Sequence, residues 1–531
     1  MIFDLNNKTV VEDKYFMKAE TKAVEAKSEQ KISSPYYRKD DLEHIGGLQA
    51  LDEEYSYWID NENIEGKIPE AVRGTLYRIG PGRNKIGKQV YGHWFDGDGM
   101  VHAFSFTDKG VWYRNRYVRT AKYINETAQQ KILYRGFGSN REGGILNNIG
   151  RLPENAANTN LIWHGGKLLA LWEGGRPWQI DPTHLTTVGE YNYQGKLNKL
   201  DAFSAHGKIS PIDGCLYNHG IGFGLKGPQL TIYKINSQGE LIKKVGLPIH
   251  IFGFIHDFSF AGDYLVYWVH PLGIKNPVPF LVGKSTFNDC VHYQPNWGMQ
   301  AIIVRADNLE EVRRIQLEPC IIVHTANAWQ EDNQLMLDVI RYEHFKVNDW
   351  LSNVLSENMT FDQEALLGGE LYRYRLGLKS DLYSAEKIKD TLPAEFPQWD
   401  LRFSGQKTRY AYHVVTLDRQ YGGSIFFNSF QKIDHQLKTV TTKTLPEGQF
   451  LSEVVFMPTG EQEGEGYLVA TVYHAQDHHS DVVIFNAHDD LTEVARIPLQ
   501  HHVPFGFHGG YTTKAFLPQH AIVEIRPKKN S

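Results

Sequence analysis

At 531 residues, with 56 Lys and Arg against 62 Asp and Glu and a formal net charge of −6, the chain has room for several domains or one repeat-built architecture. Its basic residues are scattered and outnumbered, which excludes the basic stripe that a nucleic-acid binder needs. The three cysteines, Cys215, Cys290 and Cys320, are far apart and in no CxxC pair, so neither a disulfide framework nor a zinc ribbon is expected and a reducing compartment fits best.

Residues 1–45 are rich in Lys, Glu and Ser with little periodicity and read as a partly ordered N-terminal arm, followed by a single domain over 46–531. The first residues lack the basic and apolar runs of a signal peptide, and no stretch holds 18 consecutive apolar residues. A cytoplasmic monomer is expected, with at most a peripheral membrane contact. Strand signals then dominate: Thr75 to Ile79, Val101 to Phe106, Leu161 to Trp172, Ile251 to Phe260, Leu265 to Val269, Ala301 to Val304, Leu335 to Ile340, Leu371 to Tyr374, Tyr467 to Val472 and Val482 to Phe485. Each run is closed by turn-forming residues. The helical pattern is confined to segments such as Trp350 to Asn358. So many short strands predict an all-β fold, most economically a propeller, whose strand edges stay short around a central axis.

Of the 23 histidines, four begin or end strand-like runs beside small or turn-forming residues, in AHGKISP, FIHDFSF, VHTANAWQE and PFGFHGGY. These are His206, His256, His324 and His508. They are too far apart for one helix or hairpin to join them as in HExxH. A circular architecture joins them naturally, with one histidine from each of four blades meeting on the axis. His478, His479, His501 and His502 lie in polar or mixed surroundings and carry no such pattern.

These segments resemble the four histidine motifs of the carotenoid cleavage oxygenases, a family that includes the retinal pigment epithelium isomerase and the lignostilbene dioxygenases. Flanking matches are GTLYRIGPG (74–82), HWFDGDGMVHAFSF (93–106), NTNLIWHGGKLLALWEGG (158–175), EFP (395–397) and LSEVVFMP (451–458). The resemblance implies a seven-bladed propeller under a helical and loop-built cap. It also implies one Fe(II) per chain on the four histidines, O2 as co-substrate and no separate organic cofactor. Three carboxylates are implied as well, at Glu173, Glu395 and Glu453. A carboxylate that accepts the second N–H of a ligating imidazole fixes its tautomer and raises its basicity. His206 is left without such a partner.

The implied reaction is oxidative scission of a C=C bond in a carotenoid or apocarotenoid, giving carbonyl products. The alternative is a stilbenoid. Lignostilbene dioxygenases carry a lysine where this chain has Trp172, and an apolar residue cannot assist phenolate formation, so the polyene is favoured. A polyene offers few polar handles, and an apolar tunnel must then set the cleaved bond; Phe104, Tyr123, Trp163, Trp172 and Trp329 are the candidates. The segment VHPLGIKNPVPFLVG (269–283) suits a cap loop more than a strand, and is the expected membrane contact through Phe280, with Lys275 or Lys284 near headgroups.

Overall fold

The structure is a computed structural model that describes residues 36–38, 43–356, 360–362, 368–417 and 426–519. The expected arm lies outside these residues up to position 35, and the compact unit begins at Tyr36. His44 and Leu48, on the short helix Glu43–Leu48, are buried in the same aromatic cluster as Trp94 and Phe505, so the domain starts earlier than residue 46.

Seven antiparallel sheets form a seven-bladed β-propeller. Blades I to V are meanders in chain order. They start from inner strands Asn160–His164, Lys208–Ile209, Phe258–Ala261, Ile321–Glu331 and Ala394–Gln398. Blade VI is built on Gln449–Leu451 and Val455–Pro458 and receives the N-terminal strand Glu65–Gly66 at its outer edge. In blade VII the C-terminal strand Gly509–Thr512 pairs with Gly74–Arg83. The ring is thus closed twice by strands from opposite ends of the chain.

The strand residues are nearly continuous apolar runs because each blade packs on two neighbours. In Tyr264–Val269, for example, Leu265, Tyr267 and Val269 join Leu230 and Ile232 of blade II in one core. Val266 and Trp268 point the other way, into a core with Ile322 and Val339 of blade IV. Period-two alternation therefore sorts one strand between two inter-blade cores.

Two expected runs are divided. Leu161 to Trp172 is a hairpin, Asn160–His164 with Lys167–Leu171, because Gly165 and Gly166 adopt positive φ at its turn. Ile251 to Phe260 is interrupted at 254–257, which frees His256 from any ladder. The helix expected over Trp350 to Asn358 is Val347–Asn353, and residues 357 and 358 lie outside the described ones. The segment 269–283 also differs from a plain cap loop. Leu272–Ile274 is a buried strand in a three-stranded sheet, and only Val278–Leu281 forms a short helix toward solvent.

Candidate metal centre

The four histidines arrive from four blades at the same end of the inner strands. His206 and His256 lie two residues before Lys208–Ile209 and Phe258–Ala261, and His508 immediately precedes Gly509–Thr512. His324 lies inside Ile321–Glu331, where the register with the next strand shifts between Ile322 and Thr325. Such an irregularity re-aims a side chain that a regular ladder would hold in line. Close backbone approach supports His508: a Cβ on Gly80, within the strand Gly74–Arg83, would lie 2.2 Å from the Cα of Gly506.

All four Nε2 atoms converge. Successive separations are 2.9 Å (His206 to His256), 3.2 Å (His256 to His324) and 3.2 Å (His324 to His508), and all ligand atoms fall within 4.8 Å of one another. Donors about 2.1 Å from one ion and at right angles to each other would be about 3 Å apart. The group can therefore hold a metal ion.

Three carboxylates stand behind this group. The Nδ1–H of His324 donates to Glu395, and that of His508 donates to Glu453 over 3.1 Å. His256 Nδ1 is 3.1 Å from Glu173 Oε1 but off the line of its N–H bond, and Glu173 also receives Ser204 Oγ at 3.4 Å. Among the described residues no carboxylate meets His206. With Nδ1 committed to donation, His324 and His508 present bare lone pairs at Nε2. A shared proton could satisfy at most one pair of these nitrogens at a time, whereas a single cation satisfies all four, so a cation fits the donor set. Imidazole suits zinc, copper, iron and nickel.

Burial, joined by the three neighbouring imidazoles, holds His206 far below the ordinary histidine value, in the uncharged form that ligates. Burial alone would raise Glu453. His508, Arg78 and the Gly509 N–H together outweigh it and keep the carboxylate ionised. Arg78 Nη1 donates to Glu453 Oε2 at 2.7 Å, Gln398 donates to Oε1 at 2.9 Å and Gly509 N donates to Oε2 at 2.9 Å. Glu395 is held by His324, by the Tyr342 hydroxyl and by the Phe396 N–H at 3.1 Å.

Sequence reasoning missed several of these partners. Asp257, next to His256, accepts Thr325 N and Oγ1, each at 2.9 Å, and pairs with Lys208 Nζ at 2.9 Å. It thereby ties together three positions that flank His206, His256 and His324. Thr159, ahead of the inner strand of blade I, accepts His508 N at 3.2 Å through its carbonyl and faces the cavity. The detectable signal for both was their place inside quoted motifs, Asp257 in FIHDFSF and Thr159 in the segment 158–175.

A cavity of about 970 Å³, mouth included, opens onto His256, His324 and His508. Its walls are almost wholly apolar, with Trp94, Phe95, Phe137, Trp172, Phe254 and Phe396 prominent among them, and no lysine lines it among the described residues. Of the five aromatic candidates only Trp172 lines it. Phe104 is packed between blades VI and VII with Val455 and Val469. Trp163 lies against Phe516, Trp329 under the Arg373 guanidinium, and Tyr123 against Tyr117 beneath Arg83 and Arg119. Alternation along their strands turned Phe104, Trp163 and Trp329 away from the axis, and Tyr123 lies on the helix Ala121–Gln129, off the inner strands.

Comparison with known proteins accords with this architecture. Residues 48–513 match the family described as retinal pigment epithelial membrane protein. The chain belongs to that family, the carotenoid cleavage oxygenases. It is 34% identical to the apocarotenoid-15,15'-oxygenase of Synechocystis, over 88% of this chain and 95% of the relative. It is 27% identical to carotenoid 9,10(9',10')-cleavage dioxygenase 1 of Arabidopsis thaliana, over 87% and 88%, and 28% identical to the isoeugenol monooxygenase of Pseudomonas nitroreducens, over 84% and 93%. A cobalt-substituted Synechocystis apocarotenoid oxygenase superposes with a TM-score of 0.80 at 32% identity, covering 89% of this chain and 98% of that one.

Proposed function

We propose that this protein is a non-heme Fe(II) dioxygenase that cleaves a C=C bond of an apocarotenoid or carotenoid to carbonyl products. His206, His256, His324 and His508 would hold the iron, and Glu173, Glu395 and Glu453 would orient the ligands. The carrying observation is the apolar cavity that ends on bare imidazole nitrogens. The Synechocystis apocarotenoid oxygenase, similar over nearly its full length, supports the substrate class. Bound there, Fe(II) supplies the activation of O2.

The protein's own residues do the rest. Trp172, Phe254 and Phe396 stack along a polyene and exclude water, while Glu395 and Glu453 hold the Nδ1 protons of His324 and His508 and so fix those two rings. No lysine lines the wall to contact a substrate phenolate, which favours the polyene over a stilbenoid. Incubation of the iron-loaded protein in air with carotenoids, apocarotenals, stilbenes and isoeugenol, read by product masses, tests this. Paired carbonyl products from one polyene are expected; cleavage of stilbenes or isoeugenol alone would overturn the substrate assignment.

The same reading includes a peripheral membrane contact. Its surface is Ile145, Leu146, Ile149, Val278, Leu281 and Val282, all exposed on or beside two short helices that meet through the hydrogen bond from Gly150 N to Leu281 O. Phe280 is not part of it: it is buried beneath the Arg135 guanidinium, whose carbon stands 4.0 Å from the ring centroid. Lys275 and Lys284 are exposed nearby in sequence. No helix among the described residues is long and apolar enough to cross a membrane.

A further inference from the structure

Blade VI carries a second cluster of metal-ligating side chains that the proposed reaction does not use. Strands Gly466–His474 and His479–Asn486 form a hairpin in which His474 and His479 are directly opposed. Their imidazoles stack at 4.3 Å. Asp481, two residues beyond His479, projects from the same face. Its Oδ2 is 2.7 Å from His474 Nε2 and its Oδ1 is 3.5 Å from His479 Nε2. One ligand atom from each of the three lies within 4.8 Å of the others.

Two observations separate this group from an ordinary ionic network. First, the Asp481 side chain is 3% exposed, yet Oδ1 accepts no hydrogen bond. An unpaired carboxylate oxygen in that setting carries its desolvation cost without compensation. Second, Arg496, which donates to Asp481 Oδ2 at 2.7 Å, is also held by Glu493 through bonds of 2.8 and 2.7 Å. Arg496 Nη1 also stands 3.4 Å from His474 Nε2, but with uncharged imidazoles the cluster of Asp481, Glu493 and Arg496 keeps a formal charge of −1, which favours a cation on the side away from the guanidinium. The Oδ1 side is the open one. His474 and His479 are partly exposed, which leaves water free to complete the coordination.

We propose that His474, His479 and Asp481 form a second divalent-metal site, distinct from the four-histidine centre, that takes a zinc-class ion and pins the hairpin of blade VI. Two imidazoles and one carboxylate favour Zn2+, Cu2+ or Ni2+ over Ca2+ and Mg2+, which select oxygen donors.

The test uses iron-loaded full-length protein equilibrated with Zn2+, desalted and assayed for both metals. One Zn2+ per chain is expected in addition to the iron, together with a raised thermal midpoint. His479→Ala, at a half-buried position, is expected to weaken Zn2+ binding more than about tenfold. It should also abolish the thermal shift while leaving iron content and turnover unchanged. Zn2+ uptake matched by iron loss would mean exchange at the four-histidine centre and would overturn the assignment. No uptake, or uptake that survives in both His479→Ala and His474→Ala, would equally overturn it, leaving the cluster as a hydrogen-bonded network. The metal-binding outcomes do not depend on the substrate.

Discussion

His508 and Glu453 are 55 residues apart in sequence, on blades VII and VI, yet His508 Nδ1 lies 3.1 Å from Glu453 Oε1 while Arg78 holds the other carboxylate oxygen at 2.7 Å. One buried carboxylate thus serves both a candidate ligand and an ion pair. Glu453→Gln should lower iron affinity by about 10- to 100-fold. It should also destabilise the fold by about 3–5 kcal/mol, because Arg78 is left buried and unpaired. Glu395→Gln has no arginine to strand, so it should show the metal defect with a smaller loss of stability. Metal titration and urea denaturation of both variants separate the two effects.

Tyr342 touches the cavity with its ring and Glu395 with its hydroxyl. In Tyr342→Phe the ring remains and the hydrogen bond goes. The expected result is a loss of about 1–3 kcal/mol in stability and faster release of iron, with KM for the polyene little changed. Chelator-driven iron loss and steady-state kinetics measure this; a raised KM with normal iron retention would place the hydroxyl on the substrate instead.

Product pattern should follow the cavity wall and not the blade cores. Phe254→Ala and Trp172→Ala should shift or scatter the cleaved bond. Phe104→Ala should leave the products unchanged while costing about 3–5 kcal/mol of stability. Product masses and unfolding midpoints check the contrast.

Buried histidines away from the centre set a pH dependence. Burial lowers His44 and His93 to about 3 and His413 to about 4. The unfolded chain therefore takes up protons below about pH 6.5 that the native state refuses. Stability should be full above that pH and fall as pH drops toward about 3, each histidine contributing a slope of about 1.4 kcal/mol per pH unit. Carboxylates with depressed values, such as Asp98 beside Lys122 and Arg83, add to the same acid side. Urea unfolding between pH 5 and 8 should show greatest stability at the upper end.

Liposome binding should depend on the two short cap helices. Leu146, 86% exposed, and Leu281 are the positions to change; Leu146→Asp and Leu281→Asp should each weaken binding by about tenfold. Unchanged sedimentation with vesicles would count against a membrane contact there.

The strands and the four histidine motifs were legible in the sequence because both are local signals. A run such as YLVYWV states that it is buried on both faces, and a histidine beside Gly or Asp at a strand end states that it sits where a ladder stops. Glu173, Glu395 and Glu453 were reached through quoted motifs, and each meets a histidine from another blade. What only the tertiary structure decided was direction. Whether an aromatic faces the axis or an inter-blade core depends on strand phase and on bulges such as those at His324 and Glu395. Phe104 and Trp163 could not be told from Phe254 and Phe396 by composition. The His474–His479–Asp481 cluster needed cross-strand register, which pairs positions that the linear pattern leaves as separate polar residues. Side-chain chemistry is written residue by residue, whereas the facing of side chains emerges only when the ring of blades closes.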